Sequence, residues 1–369
     1  MALTLHGTVS DNTVALDRKT ATPLIINGDM QIAQRGTSVS TFNSDAYHTV
    51  DRWKNSTAGT ISAEFTISQD SDVPTGEGFS NSLKYDCTTA NASLGTSTAF
   101  RVQTRIEGQN IQMLKKGTSN AESVTFSFWV KSAKTGTYIL ELFDADNNRS
   151  ISKSYTVDSA NTWEKKVLSF AGDTTGAFDN DNAQSLQINW YLFAGTDYTS
   201  GTLQTSWATR TNANRAVGNV NLADSTSNDW YITGVQLEVG TFDANSIPDF
   251  QFEDRTTSFN RCSRYFYRQY SNAPYSVFAN GFVSNSTTAR VMQRFPQQRA
   301  LPTFSSSGSF QVIEGGDSRS VSSIASDNNS RSLEGARLDI TTSSASAGNG
   351  CMLRASNDTD AYIEADSEL

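Results

Sequence analysis

The sequence predicts an all-β protein: a jelly-roll β-sandwich, then a short helix, then a second, smaller C-terminal β-sandwich. Ser, Thr, Asn, Asp and Gly separate short runs of Val, Ile, Phe, Tyr and Trp, and Pro is sparse at 6 of 369 residues. That mixture suits many strands joined by polar turns. Several runs alternate apolar and polar residues with the period of two of a half-buried strand. The length also exceeds what one core usually fills, so more than one globular unit is expected.

Taken in order, the first twenty residues set Leu3-Thr4-Leu5 and Thr13-Val14-Ala15-Leu16 around the turn-like Ser10-Asp11-Asn12, which fits a hairpin or extended arm over 1–22. Leu24-Ile25-Ile26-Asn27-Gly28-Asp29 reads as a strand ending in a Gly turn. In Val50-Asp51-Arg52-Trp53, a buried Trp beside an ion pair would be a fold determinant. Strands follow at 61–67, 82–86, 98–106 and 124–131. Within the last, Val124, Phe126, Phe128 and Val130 fall on one face and Trp129 on the other. Residues 138–143 and 151–157 form a hairpin across Asp144-Ala145-Asp146-Asn147-Asn148, and 163–170, 186–193 and 230–238 supply three further strands. The last of these closes a jelly-roll domain assigned to 23–240.

The alternation stops at Gly240-Thr241-Phe242-Asp243-Ala244-Asn245-Ser246-Ile247-Pro248, and 241–270 is assigned to a linker and short helix. Across 257–269, Phe259, Cys262 and Phe266 fall at helical spacing, with Arg261, Arg264 and Arg268 available for another face. Residues 271–369 form the smaller β domain, with strands at 277–283, 289–295, 310–313, 336–340, 351–354 and 361–364.

A net charge of -9 without a dominant Lys/Arg cluster argues against a nucleic-acid partner. Cys87, Cys262 and Cys351 lie far apart with no C-x-x-C pair, so buried free thiols in a chain folded in a reducing cytoplasm are expected. The N-terminus lacks a basic region followed by an apolar run, and no stretch approaches the roughly 18 apolar residues of a membrane span. Neither Sec export nor membrane insertion is expected. Release by lysis inside a virus particle is one way such a chain leaves the cell.

Catalytic signatures are absent: there is no G-x-S-x-G, P-loop or dinucleotide fingerprint, and the only histidines are His6 and His48. A non-enzymatic binding protein is therefore expected. A polysaccharide-cleaving carboxylate pair about 5–10 Å apart cannot be chosen among 38 acidic residues. The Asp144 segment begins like a calcium loop, but Arg149 and Tyr155 stand where an EF-hand requires Gly and Glu, so a hairpin turn without metal is predicted. Glycan recognition combines an aromatic ring with amides and carboxylates. Trp129, Glu141, Gln187, Asn189, Tyr191, Gln236 and Glu238 are read as such a set on one face of the strands. The competing reading has Trp129 and Tyr191 filling the sandwich and the polar groups solvated.

Segment 23–240 resembles carbohydrate-binding modules of the galactose-binding-like type. The resemblance rests on Ile26-Asn27-Gly28-Asp29-Met30, Phe128-Trp129-Val130-Lys131 with Gly136-Thr137-Tyr138, Trp163 opening a strand, and Trp230-Tyr231-Ile232-Thr233-Gly234-Val235-Gln236-Leu237-Glu238. More closely, the chain resembles a group of bacteriophage tail-fibre proteins. These carry Asn-Gly-Asp-Met/Ile-Ala-Gln-Arg-Gly and Asp-Arg-Trp after a short arm, here Asn27-Gly28-Asp29-Met30, Ile32-Ala33-Gln34-Arg35-Gly36 and Asp51-Arg52-Trp53. They end the first domain on Val-Gln-Leu-Glu-Val-Gly, here Val235 to Gly240, and continue through Phe252-Glu253-Asp254-Arg255 and Cys262-Ser263-Arg264-Tyr265. The ending Ala361-Tyr362-Ile363-Glu364-Ala365-Asp366-Ser367-Glu368-Leu369 is similar too, so the resemblance touches nearly the whole length.

The resemblance implies a tail-fibre or spike subunit, assembled in the host cytoplasm, that binds host surface glycan and contacts other tail or capsid proteins. It also implies a homotrimer, with the helix of Phe259, Cys262 and Phe266 as candidate axis. A capsid-decoration or tail-connector protein is the alternative, and a depolymerase a third. The related modules often hold structural calcium through an acidic residue of the last strand, where this chain has Thr233-Gly234. No cofactor is therefore expected. The group's link Ala-Thr-Pro-Phe-Glu is replaced by Ile247-Pro248-Asp249-Phe250-Gln251-Phe252-Glu253.

Overall fold

A computed structural model describes residues 18–369, and the chain divides into two compact units after Arg255. The predicted N-terminal arm falls almost wholly outside the described residues. The first unit contains β1 (Ser38–Phe42), β2 (Ala46–Tyr47), β3 (Lys54–Ala58), β4 (Glu64–Asp70), β5 (Ser82–Thr89), β6 (Ala99–Glu107) and β7 (Val124–Ser132). It continues with β8 (Gly136–Asp144), β9 (Arg149–Val157), β10 (Glu164–Phe170), β11 (Gln184–Ala194), β12 (Ala208–Thr209) and β13 (Asp229–Val239). These make a six-stranded sheet, β1-β4-β5-β13-β7-β10, and a seven-stranded sheet, β12-β9-β8-β11-β6-β3-β2. Pairing is antiparallel throughout, and the chain passes repeatedly between the sheets in the manner of a jelly roll.

The two inner faces share one core. Period-two alternation sends Phe126, Phe128 and Val130 of β7 inward, against Leu140 and Leu142 of β8 and Ile188, Trp190 and Leu192 of β11. Phe126 and Phe128 meet the Trp190 ring edge-on at 6.2 and 5.8 Å. Each such side chain, fully withdrawn from water, contributes about 1.5–3 kcal/mol. The predicted closing strand is β13, and it lies in the middle of its sheet between β5 and β7.

Residues 24–29 are turns rather than the predicted strand. Asn27 (φ 58°) and Met30 (φ 60°) adopt left-handed backbone there, which breaks an extended run. The Asn27 side chain donates to the Ile32 and Asp51 carbonyls and accepts from the Ile32 amide, while its own carbonyl accepts from Trp53 Nε1 at 3.1 Å. Gly28 accepts from the Val235 amide at a bulge in β13, and a Cβ on Gly28 would stand 2.1 Å from the Val235 carbonyl oxygen. The Asn-Gly, Asp-Arg-Trp and Gly-Val-Gln segments, far apart in sequence, thus form one buried clip. Asp51, Arg52 and Trp53 are all buried, with Asp51 accepting from the Gln34 amide and side chain.

The helix Arg255–Ser263 opens the second unit. Its strands are β14 (Phe266–Tyr270), β15 (Val277–Asn285), β16 (Thr288–Arg294), β17 (Thr303–Ser307), β18 (Phe310–Glu314), β19 (Asp317–Ser320), β20 (Ser323–Arg331), β21 (Gly335–Thr341), β22 (Gly350–Ala355) and β23 (Tyr362–Asp366). They form a three-stranded sheet, β14-β23-β17, and a seven-stranded sheet, β19-β18-β22-β15-β16-β21-β20. Val283, Val291, Val312, Leu338, Leu353 and Ile363 share the core. The helix is shorter than predicted, ending at Ser263, because Phe266 enters a ladder with β23 in which it pairs with Asp366. Phe259, Cys262 and Phe266 are therefore not one helical stripe. Of the three residues taken as the candidate axis, Cys262 and Phe266 are buried within their own chain and Phe259 is partly exposed.

Candidate functional site

Strand parity places every predicted glycan-binding residue on an outward face, but the sandwich has two outward faces and the set is divided between them. Trp129 and Gln236, with Glu238, lie on the outer face of the six-stranded sheet. Glu141, Gln187, Asn189 and Tyr191 lie on that of the seven-stranded sheet. They do not form one site.

On the seven-stranded sheet Glu141, Asn189 and Tyr191 are sealed, and Gln187 is half-buried. The segment between β11 and β13 folds over them, anchored by Val220 N to the Thr137 carbonyl and Ser152 Oγ to the Arg215 carbonyl. Arg215 from this segment makes a bidentate ion pair with Glu141, Nε to Oε1 at 2.7 Å and Nη2 to Oε2 at 2.8 Å. Glu141 Oε2 also accepts from Asn189 Nδ2 and the Tyr191 hydroxyl, and Gln103 Nε2 donates to Asn189 Oδ1. Glu141, Asn189 and Tyr191 are fully buried. Burial pushes the Glu141 carboxyl up, but Arg215, Arg101 and the Tyr191 bond outweigh it and hold the group below the usual carboxylate range. This satisfied network holds a structural segment in place. It leaves a sugar no access.

On the six-stranded sheet the outer face carries an open groove of about 380 Å³. Its floor is Ser127 and Trp129 of β7, Gly234 and Gln236 of β13 and Lys165 of β10, which stands directly opposite Trp129 in the ladder. One wall is the loop before β5, with Glu77 and Phe79. The other is the segment after β13, with Asp249, Phe250 and Phe252. That segment, expected as a linker, folds back over the sheet: Thr125 Oγ1 donates to the Gly240 carbonyl, Ser169 Oγ to the Phe242 carbonyl and Gln236 Nε2 to the Pro248 carbonyl. Phe79, Phe250 and Phe252 pack with ring centroids 4.9–5.2 Å apart, and Phe252 remains 49% exposed. Phe79 fits because Gly234 (φ +62°) has no side chain, since a Cβ would lie 2.6 Å from the Phe79 ring.

Two features give the groove its chemistry. Trp129 and Phe252 offer aromatic surface to the apolar side of a ligand. Gln236 is 5% exposed, spends its Nε2 on Pro248, and leaves its Oε1 without a hydrogen-bond partner among the described residues. An unpaired buried acceptor costs about 1–3 kcal/mol, and because this oxygen is shielded from solvent a hydroxyl or ammonium donor gains it only by displacing what covers it. Glu77, Asp249 and Lys165 add exposed charge to the lining. Glu238 does not line the groove. It is held by Arg18, whose Nε donates at 3.0 Å, and burial raises its carboxyl above the ordinary value.

Sequence reasoning missed Glu77, Lys165, Phe250 and Phe252. Phe250 and Phe252 carried one signal, two aromatics flanking Gln251 in a stretch otherwise without strand alternation.

The Asp144 turn is the predicted hairpin connection, and it holds a cation of its own. Lys116 Nζ lies 2.5 Å from Asp144 Oδ2 and 3.1 Å from Asp173 Oδ2, and donates to the Thr175 and Gly176 carbonyls at 3.0 and 2.7 Å. An ammonium thus satisfies this oxygen cluster. In the last strand of the sandwich, Thr233 Oγ1 donates to the Asn81 carbonyl. Among the described residues no group of three or more His, Cys, Asp and Glu could hold a metal ion, no helix is long and apolar enough to cross a membrane, and the three cysteines are free and buried.

No family model matches the chain, and no curated protein matches it. Among solved structures, the enzymatically active domain of tailspike protein 4 from bacteriophage CBA120 is similar at 16% identity and a TM-score of 0.31, covering 59% of this chain and 21% of that one. The match therefore spans about a fifth of the tailspike chain. A family 61 carbohydrate-binding module in complex with β-1,4-galactotriose gives 8% identity and a TM-score of 0.29, covering 59% of this chain and 99% of the module. A putative sugar binding protein from Bacteroides thetaiotaomicron gives 11% and 0.30, with coverage of 59% and 100%. At this level of likeness the functional reading rests on the residues.

Proposed function

We propose that this chain is a non-enzymatic bacteriophage tail-fibre or spike subunit, homotrimeric in the particle, whose outer-face groove binds host surface glycan during adsorption. The observation that carries the binding reading is the groove itself. Trp129 and Phe252 flank a site in which the buried Gln236 Oε1 lacks a partner among the described residues, and a sugar presents the matching pair of an apolar ring face and hydroxyl donors. The virion reading is supported by the motif order shared with phage tail-fibre proteins from Asn27 to Leu369. A binding rather than cleaving role is supported by the groove's two carboxylates, Glu77 and Asp249, which are both solvent-exposed rather than set in the apolar surroundings that tune a general acid.

The test is binding of the labelled full chain to a panel of intact bacterial strains, with polysaccharide-stripped cells as control. Trp129→Ala should lower binding at least about tenfold, the equivalent of about 1.4 kcal/mol, without changing the unfolding transition. Binding equal to wild type would sink the glycan site. Reconstruction of a virion containing this chain tests the location. Density spread over the capsid lattice would favour the decoration reading.

A further inference from the structure

We infer that the ligand of this groove is a chain of sugars lying along β7, with a second stacking position at Trp163. The inference rests on the glycan reading of the Trp129 groove and goes beyond it by assigning length and direction. The β10–β7 register sets Lys165 opposite Trp129 and Glu164 opposite Val130. Trp163 therefore continues the same outer face one step beyond Lys165, beside Lys131, whose Nζ is 5.7 Å from the Trp163 ring centroid. Along a strand, residues two apart are separated by about 6.6 Å, a step on the scale of a sugar ring.

Trp163 is held as a fixed platform. Its Nε1 donates to Asp72 Oδ1 at 2.8 Å, its ring stands edge-on to Tyr231 at 6.0 Å and 67°, and it stays partly exposed. Asp72 also pairs with Lys131, which lies 4.0 Å over the Tyr231 ring. The cation sits closer to Tyr231, which is buried, than to Trp163, which remains the more exposed ring of the two. A ring whose orientation is already fixed loses little entropy on binding. A chain stacked on Trp129 and extended along β7 meets Trp163 next.

The experiment uses the full chain and a size-fractionated partial acid hydrolysate of the surface polysaccharide from a strain that wild type binds. Trp163→Ala should weaken hexasaccharide binding about five- to tenfold and leave monosaccharide binding within about twofold, whereas Trp129→Ala should weaken both. Equal loss at both lengths, or no loss for the hexasaccharide, would overturn the second position while leaving the Trp129 site standing. Should Trp163→Ala fail to fold, oxidative footprinting of wild type decides the matter. Trp163 should be protected by hexasaccharide and not by monosaccharide, and equal or absent protection overturns the inference. If wild type binds no strain, the glycan reading falls and this inference with it.

Discussion

Beneath the segment that carries Arg215, the outer face of the seven-stranded sheet buries Glu141, Asn189 and Tyr191 completely, whereas the outer face of the six-stranded sheet leaves Trp129 and Phe252 bordering a groove. Both faces combine aromatic rings, amides and charge. What separates them is the covering segment: one lies flat and satisfies the polar groups beneath it, and the other bridges the sheet and leaves Gln236 Oε1 without a partner among the described residues. Polar and aromatic residues on an outward strand face thus do not suffice to make an open groove.

The largest effect should come from breaking the sealed face. Arg215→Ala leaves the Glu141 carboxylate buried and uncompensated, and should cost about 3–5 kcal/mol in denaturant unfolding. The double variant Glu141→Leu with Arg215→Met removes both charges and should recover most of that loss, since apolar replacement of a buried pair is often close to neutral. Binding to cells should survive in the double variant. If it vanished while the fold held, the sealed face would belong to the recognition surface and the contrast between the faces would fail. The pair also sets an acid limit. Glu141 has its folded pKa held below the ordinary 4.5, so its contribution is present above that value and is lost as pH falls through the folded one. The double variant should lose stability less steeply below about pH 4.5 than wild type does.

On the open face, stability and binding should separate. Trp129→Ala removes a ring from the surface side of the sheet and should cost about 1 kcal/mol or less, while lowering cell binding at least about tenfold. A loss of several kcal/mol would mean that Trp129 is packed as core, and the groove would then be a packing defect.

The sequence displayed the strands wherever one face is apolar and the other polar, as in β7, β8, β11 and β13, and it displayed which side chains point outward. It could not display which sheet a strand joins, because parity is the same for both outer faces, and so Trp129 and Glu141 were assigned to one site. Polar strands were equally hidden: Lys54–Ala58 and Ser323–Arg331 carry almost no alternation and are strands because their neighbours offer backbone pairing. At 257–269 the helical spacing of Phe259, Cys262 and Phe266 was coincidental. The last of the three belongs to a strand paired with the C-terminal residues, a contact about a hundred positions away. Phe250 and Phe252 were read as linker because the return of a chain over its own sheet leaves no periodic trace.

The smallest effect is expected at Glu238, which tests whether the open sheet has a sealed corner of its own. Its carboxyl sits on the same outer face as Gln236, but it faces Arg18 rather than the groove. Burial raises its pKa above 4.5 despite Arg18, so the charged form is disfavoured in the folded chain. Stability linked to this group is therefore fully present below pH 4.5 and falls as pH rises through the folded pKa. Glu238→Gln, which keeps the shape and removes the charge, should raise the melting temperature slightly at neutral pH and match wild type below about pH 4.5. Cell binding should not change. A lower melting temperature at neutral pH would mean that the Arg18 pair outweighs the cost of burial, making this corner a small counterpart of the Glu141–Arg215 seal.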